Sequence, residues 1–434
     1  MRERSWVPVD AESYVRTIAD DAAAAGLDGV LDRIDALIEQ NTATYAEQCL
    51  QLNPAANVMN PRAEAALAAG LGSRPSLGYP GDKYEMGLEA VEQIEVIAAQ
   101  LACDVFGADF AEVRVGSGAL ANLYGFMACC RPGDSIIVPP ASIGGHVTHQ
   151  DAGAAGLYGL DIHEAAIDAD RYTIDVDALR TLAHHVRPKM ITVGSSLNLM
   201  HHPVAEIRAI ADEVGAVVLF DAAHLSGVIA GGAWPDPLAQ GAHVMTCSTY
   251  KSLGGPPSGL LLTNDATIAE RVDAIAFPGL TANFDVGKVA SLAIALVDTQ
   301  RHGVAYATEM VAAAGALQHE LVELGIDALP TASHAFAIPT SDGHALAQRL
   351  RAANLLTSGI GLPPSISEPK DGAMNGLRVG TNEIVRSGLA TIDMAELAQL
   401  LATAIKSESP ADLAVLAGQV SAFRRRFTGV HFVN

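Results

Sequence analysis

Two polar breaks in otherwise apolar segments carry the chemistry of this chain. Val217-Val-Leu-Phe-Asp-Ala-Ala-His224 is an apolar run that ends in Asp221, with His224 just beyond. Val244-Met-Thr-Cys-Ser-Thr-Tyr-Lys251 is a second run, and it opens onto a polar turn, Ser252-Leu-Gly-Gly-Pro256, that begins just after a lone lysine. An aspartate at one strand end and a lysine at the next meet the needs of pyridoxal 5'-phosphate chemistry. The Lys251 amine can condense with an aldehyde. Asp221 can keep a pyridine nitrogen protonated, so that the ring accepts electrons.

Other segments add to this pair. In Arg114-Val-Gly-Ser-Gly-Ala-Leu-Ala-Asn122, Ser117 and Gly118 stand at the start of a helical pattern. Backbone N–H groups and the helix dipole there favour a phosphate. Ser248 and Thr249, close before Lys251, offer hydroxyls to the same group. Gly144-Gly-His-Val-Thr-His149 puts His146 and His149 on a glycine-rich loop. No third metal ligand is evident nearby, so no metal is expected, and a ring stacked on a flat cofactor beside a proton-transfer histidine fits better. Arg378 lies within Asn375-Gly-Leu-Arg-Val-Gly-Thr381, a short apolar strand. A cation there needs an anionic partner. A substrate carboxylate gripped by two parallel hydrogen bonds would supply it, and a structural salt bridge is the competing explanation.

The elements that must position these residues read as α/β. Short strands Ser135–Pro139, Met190–Gly194, Ala216–Asp221 and Val244–Ser248 alternate with helical patterns such as 204–215. That rhythm predicts a mainly parallel sheet covered by helices, with ligands beyond the carboxyl ends of the strands. Asp221, Ser248 and Lys251 would lie there. Residues 11–40 read as a helix, with Leu27, Val30, Leu31, Ile34, Leu37 and Ile38 at helical spacing. Such an arm suits packing on a partner subunit. After the turn-rich Gly78–Lys83, a helix follows with Leu88, Val91, Ile94, Ile97 and Leu101 as its inward stripe, Glu89, Glu92 and Glu95 off it, and Gly107 as its cap. The division expected is a helical arm over 1–60, a large cofactor-binding domain over 61–295 and a small C-terminal α+β domain over 296–434.

Bulk properties agree with an enzyme of the cytoplasm. The 434 residues are 50% hydrophobic and 18% charged, which is globular. A formal net charge of −22 argues against nucleic acid or an anionic membrane as partner. No apolar run approaches a membrane span or the core of a signal peptide. The five cysteines show no paired spacing.

In order along the chain, Gly78-Tyr-Pro-Gly81, Ser117-Gly118 with Asn122, Gly144–His149, Asp221-Ala-Ala-His224, Lys251 with Gly255-Pro256, Phe277-Pro-Gly279 and Gly376–Thr381 resemble serine hydroxymethyltransferase. The resemblance implies a fold-type-I pyridoxal phosphate enzyme with a seven-stranded sheet. It implies that Lys251 bears the cofactor, Asp221 faces the pyridine nitrogen, and His224 lies near the ring oxygen. His146 would stack on the ring, and Ser117, Gly118 and Ser248 would hold the phosphate. Gly279 would reach that phosphate from a neighbouring subunit. Ser196 would sit beside ring oxygen or substrate, and Arg378 would bind the amino-acid carboxylate. Sites at a subunit interface imply a homodimer or a dimer of dimers.

The departures from that family are informative. Leu77 stands where its glutamate precedes Gly-Tyr-Pro-Gly, and Pro75 where a tyrosine is usual. Its two tyrosines after the turn become Tyr84 and Glu85. Tyr250 replaces the histidine before the lysine, Ala119 the serine after Ser117-Gly118, and Leu280-Thr-Ala-Asn283 a glycine run. Leucine cannot move a proton, so the folate-linked machinery is altered while the cofactor and carboxylate sites persist. The reading favoured is aldol or retro-aldol chemistry at Cα–Cβ of a serine-, threonine- or α-methylserine-type substrate, with an aldehyde as second partner and no folate. His146, His149 and Glu85 are the candidate bases, with Tyr84 beside the substrate. Folate-dependent hydroxymethyl transfer, with Glu85 in the lost glutamate's place, and aminotransfer are the alternatives.

Overall fold

The fold is organised by the alternation of short strands with amphipathic helices. It is described here from a computed structural model that covers residues 2–370 and 372–434. Seven strands form the central sheet: β1 Phe110–Glu112, β2 Ser135–Val138, β3 Asp161–Glu164, β4 Met190–Val193, β5 Val217–Asp221, β6 Val244–Ser248 and β7 Gly259–Thr263. Their order is β1-β7-β6-β5-β4-β2-β3. Strands β3, β2, β4, β5 and β6 run parallel, while β7 and β1 are antiparallel additions at one edge. Every residue of β4 and β6 is buried, as expected for strands with helices on both faces. Register follows the apolar runs, with Leu219 beside Val244 and Val217 beside Met190.

The sequence-read strands agree with these spans to within a residue. Helix Val204–Val214 ends at Gly215, which takes the left-handed conformation at φ 72°. Gly194, just past β4, has φ 87°, and a Cβ there would run into the Asp221 carbonyl. A glycine is therefore required where the chain leaves β4 against the functional end of β5.

Residues 9–43 form α1, longer than the expected 11–40 and broken at Gly26 (φ 69°). Its apolar row is uncovered in the single chain, with Leu27 87% exposed. Helix α2, Glu89–Phe106, is capped by Gly107 as anticipated, but its buried stripe is rotated. Ile97 is 52% exposed while Glu95 is 6% exposed. The cause is Lys83, whose ammonium pairs with Glu95 at 2.6 Å and brings that carboxylate inside.

Helix α3, Gly118–Cys129, packs on β6 and β7, and α4, Val286–Glu323, is 38 residues long. The expected boundary at 295/296 falls within α4. A second sheet, β8 Ala335–Pro339, β9 Ser358–Ile360 and β10 Gly376–Gly380, is antiparallel throughout. Leu50 and Gln51 pair with Leu355 and Leu356, so the end of the N-terminal segment lies with this C-terminal unit. Arg378 sits at the centre of β10.

Candidate active site

The carboxyl ends of β4, β5 and β6 converge with β10. Lys251 is in the turn after β6, almost fully buried, with its Nζ 3.0 Å from His224 Nε2. Among the described residues no carboxylate pairs directly with it. Burial lowers its amine from 10.5 to about 8; nearby Asp221 opposes the shift and Arg378 adds to it.

Asp221 ends β5 and is buried. Its Oδ2 accepts from Asn122 Nδ2 at 2.8 Å and lies 3.3 Å from His149 Nε2, while Oδ1 accepts from Ala223 N at 2.9 Å. Burial alone would raise this carboxyl. The close approach of His149, the His146 and His149 charges and the Asn122 amide outweigh it and hold Asp221 well below the usual carboxylate range. Asn122 is itself oriented by Thr246 Oγ1, which donates to Asn122 Oδ1 at 2.6 Å.

His149 is fully buried behind Asp221, against Phe126. It has no open path to a substrate, so its position suits orienting Asp221 rather than acting as a base. His146 is different: its side chain is 20% exposed and its Nδ1 lies 3.8 Å from Asp221. Burial lowers the His146 imidazole to about 4, against the pull of Asp221, with His149, Lys251 and Arg378 adding to the fall. It is a neutral ring at the mouth of the site. His224 is held well below its ordinary value by burial, then by Lys251 and Arg378. Among the described residues its buried Nδ1 has no partner.

Ser117 caps α3, accepting from Leu120 N at 3.2 Å. A Cβ on Gly118 would collide with the Ser248 side chain, so only glycine lets the helix start approach the end of β6. The result is a cradle of Ser117, Gly118 and Ser248, whose leading N–H groups are unused by the helix. One end of the site can thus take an anion, and the other presents an amine.

Arg378 is buried, and among the described residues all its partners are neutral. Its guanidinium donates to Ser358 Oγ at 3.1 and 3.2 Å, to Asn53 Oδ1 at 3.3 Å and to the Ser196 carbonyl, and it approaches His224 Nε2 at 3.4 Å. Burial lowers it from 12.5 to about 10. Ser196 therefore meets Arg378 through its backbone, with its hydroxyl free.

Among the described residues, no hydrogen bond or ion pair joins three sequence-selected residues to this cluster. Tyr84 is 83% exposed and Gly279 is exposed. Glu85 Oε2 accepts from Leu77 N at 3.2 Å, and among the described residues no hydrogen bond links it to Lys251. Residues not singled out from the sequence also belong here: Asn53 and Ser358 on Arg378, and buried His334, whose proximity depresses His224. Asn122, quoted in the sequence motif but given no role there, lies four positions after Gly118 on the same helix face and donates to Asp221.

Comparison with known proteins follows the same lines. The serine hydroxymethyltransferase family profile matches residues 29–401. The chain is 55% identical to an alpha-methylserine aldolase of Variovorax paradoxus, over 100% of this chain and 99% of that protein. It is 50% identical to an alpha-methylserine aldolase of Ralstonia sp over 100% of both. A serine hydroxymethyltransferase of Methanopyrus kandleri is 35% identical over 83% of this chain and 86% of that one. With the lysine, aspartate and arginine gathered at the strand ends of an α/β fold, these matches establish that the chain belongs to the serine hydroxymethyltransferase family, fold-type-I enzymes that generally use pyridoxal phosphate.

Proposed function

We propose that this enzyme holds pyridoxal phosphate and cleaves the Cα–Cβ bond of a β-hydroxy-α-amino acid, α-methylserine foremost, releasing formaldehyde and alanine without folate. The observation that carries the reading is Arg378, a buried cation with only neutral partners beside the Lys251–His224 pair. A substrate carboxylate completes it. The likeness to proteins named alpha-methylserine aldolase supports the choice of substrate.

The residues present fit the cofactor. Lys251 would take the aldehyde, and Ser117, Gly118 and Ser248 would take the phosphate. Asp221 would serve the ring nitrogen, His146 would cover the ring, and His224, with its Nδ1 unpartnered among the described residues, would serve the ring oxygen. When bound, the cofactor's protonated ring supplies a sink for the electron pair released by bond cleavage. Arg378 fixes the carboxylate and so orients Cα–Cβ. Ser196 offers its hydroxyl beside the same carboxylate. Neutral His146 accepts the β-hydroxyl proton. Lys251, with an amine near pKa 8, returns a proton to Cα. Leu77 supplies no acid or base.

Tyr84, Glu85 and Gly279 serve a neighbouring subunit's site in this account. Their separation from their own Lys251 and the uncovered apolar row of α1 support a homodimer. The Glu85–Leu77 contact favours one second reading, folate-dependent transfer, because it sets a carboxylate against the position where the family carries glutamate. The test is release of formaldehyde and alanine from α-methylserine in folate-free buffer. Equimolar release is expected; a strict need for tetrahydrofolate would move the function to the second reading.

A further inference from the structure

The Lys251 turn is held from behind by side chains that take no part in the chemistry above. Asn57 Nδ2 donates to the Lys251 carbonyl at 2.7 Å and to Tyr306 Oη at 2.9 Å. Tyr306, on α4, donates in turn to the Asn382 carbonyl at 2.7 Å. Arg386 reaches the same turn, its Nη1 3.5 Å from the Leu253 carbonyl and its guanidinium 5.6 Å from the centre of the Tyr306 ring. Gly254 has φ 69°, and a Cβ there would strike the Arg386 guanidinium, so the turn and Arg386 are in close contact.

The last residues of the chain close over these groups. Phe432 stacks on Tyr306 with centroids 5.2 Å apart and planes at 29°. His431 N donates to the Arg386 carbonyl at 2.7 Å. Asn434 donates to Asp298 Oδ1 from its backbone N at 2.9 Å and from its Nδ2 at 2.6 Å. The other oxygen of Asp298 accepts from Asn60 at 2.8 Å and lies 3.5 Å from Arg386 Nη2. Phe432 also has φ 57°, a left-handed conformation that costs a bulky residue about 1–2 kcal/mol. A residue stays there only when its surroundings over-determine it. The segment that makes these contacts lies beyond residue 401, where the family match ends.

We propose that Phe432 is a positioning residue for Lys251: segment 431–434 clamps Tyr306 and Arg386, and through them and Asn57 it fixes the backbone that aims the Lys251 amine. The Lys251 carbonyl accepts both from Asn57 and from Gly254 N, the latter at 3.0 Å, so the Gly254 amide reports directly on the clamp. The proposal rests on the reading of Lys251 as the lysine that holds the cofactor, and not on the choice of substrate.

The test is hydrogen–deuterium exchange on the cofactor-loaded protein without substrate, read at peptides covering 249–255 and, as reference, 217–221. Phe432→Leu keeps apolar bulk and loses the stack; Phe432→Tyr keeps the ring. Phe432→Leu should speed exchange in 249–255 by roughly tenfold or more and leave 217–221 unchanged, because the opening is local. Phe432→Tyr should restore slow exchange. Borohydride trapping of cofactor freshly added to the stripped protein should slow in Phe432→Leu and recover in Phe432→Tyr. Unchanged exchange at 249–255, a uniform rise across both peptides, or a Phe432→Tyr variant as loose as Phe432→Leu would each overturn the proposal. A native chain inert towards α-methylserine would count against the function above and leave these readouts intact.

Discussion

Replacing Arg378 by methionine separates its role in binding from its role in the fold. The folded protein pays for a buried guanidinium with no carboxylate: its pKa falls from 12.5 to about 10. At about 1.4 kcal/mol per unit, that is on the order of 3 kcal/mol against the charged form, present at every pH below the lowered value. Hydrogen bonds to Ser358, Asn53 and Ser196 offset part of it. Arg378→Met should therefore melt within a few degrees of the native protein, or above it, when no amino acid is present. With α-methylserine the result reverses. A desolvated charge-assisted pair to the carboxylate is lost, which costs roughly 2–5 kcal/mol, or about 30- to 4,000-fold in affinity. The assay is titration of the cofactor-loaded variant by absorbance, beside a melting curve in the same buffer without ligand. Cofactor retention should be unaffected. Native-like amino-acid affinity in Arg378→Met would refute the assignment. A large drop in ligand-free melting temperature would show that the guanidinium is structural.

Three further outcomes are expected. Capture of pyridoxal phosphate by the stripped protein should depend on pH with a midpoint near 8, because burial lowers the Lys251 amine to that value and the free base is the nucleophile; a midpoint near 10.5 would contradict its burial beside Arg378. Gly118→Ala should weaken cofactor retention by tenfold or more, about 1.4 kcal/mol, since the new Cβ meets Ser248; fluorescence titration with the cofactor checks this, and retained affinity would remove the cradle. His149→Ala should cost roughly 1–3 kcal/mol of turnover free energy by removing the imidazole that faces Asp221, and should raise the lower limb of the pH–rate profile, whereas a changed KM alone would place His149 elsewhere.

What could be read in advance follows from how each residue is displayed along the chain. Asp221, Lys251 and Arg378 each interrupt an apolar run, so a single charge in a strand context marks them without tertiary information. Gly107 and Gly215 end periodic patterns and cap their helices as anticipated. Asn53, Ser358 and His334 carry no such mark. They are ordinary polar residues: Asn53 and His334 reach Arg378 and His224 from more than a hundred positions away, and Ser358 meets Arg378 through the pairing of β9 with β10. The α2 stripe was misread because Lys83 draws Glu95 inward, a pairing that periodicity cannot express. The domain boundary was set by a change of pattern, yet α4 runs unbroken from Val286 to Glu323, straight through the polar stretch 298–303. The two roles of the histidine loop were also not separable from spacing: His146 and His149 are three residues apart, and only the fold turns one to the mouth and the other beneath Asp221.

The central claim is cleavage of Cα–Cβ with proton return to Cα and no folate. Turnover of α-methylserine in D2O, with folate rigorously removed, tests it in one spectrum. The account predicts alanine bearing a single deuterium at Cα and none in its methyl group, formed in equal amount with formaldehyde, at a rate that added tetrahydrofolate does not raise. Absence of product until tetrahydrofolate is supplied, or alanine formed without formaldehyde, would contradict it.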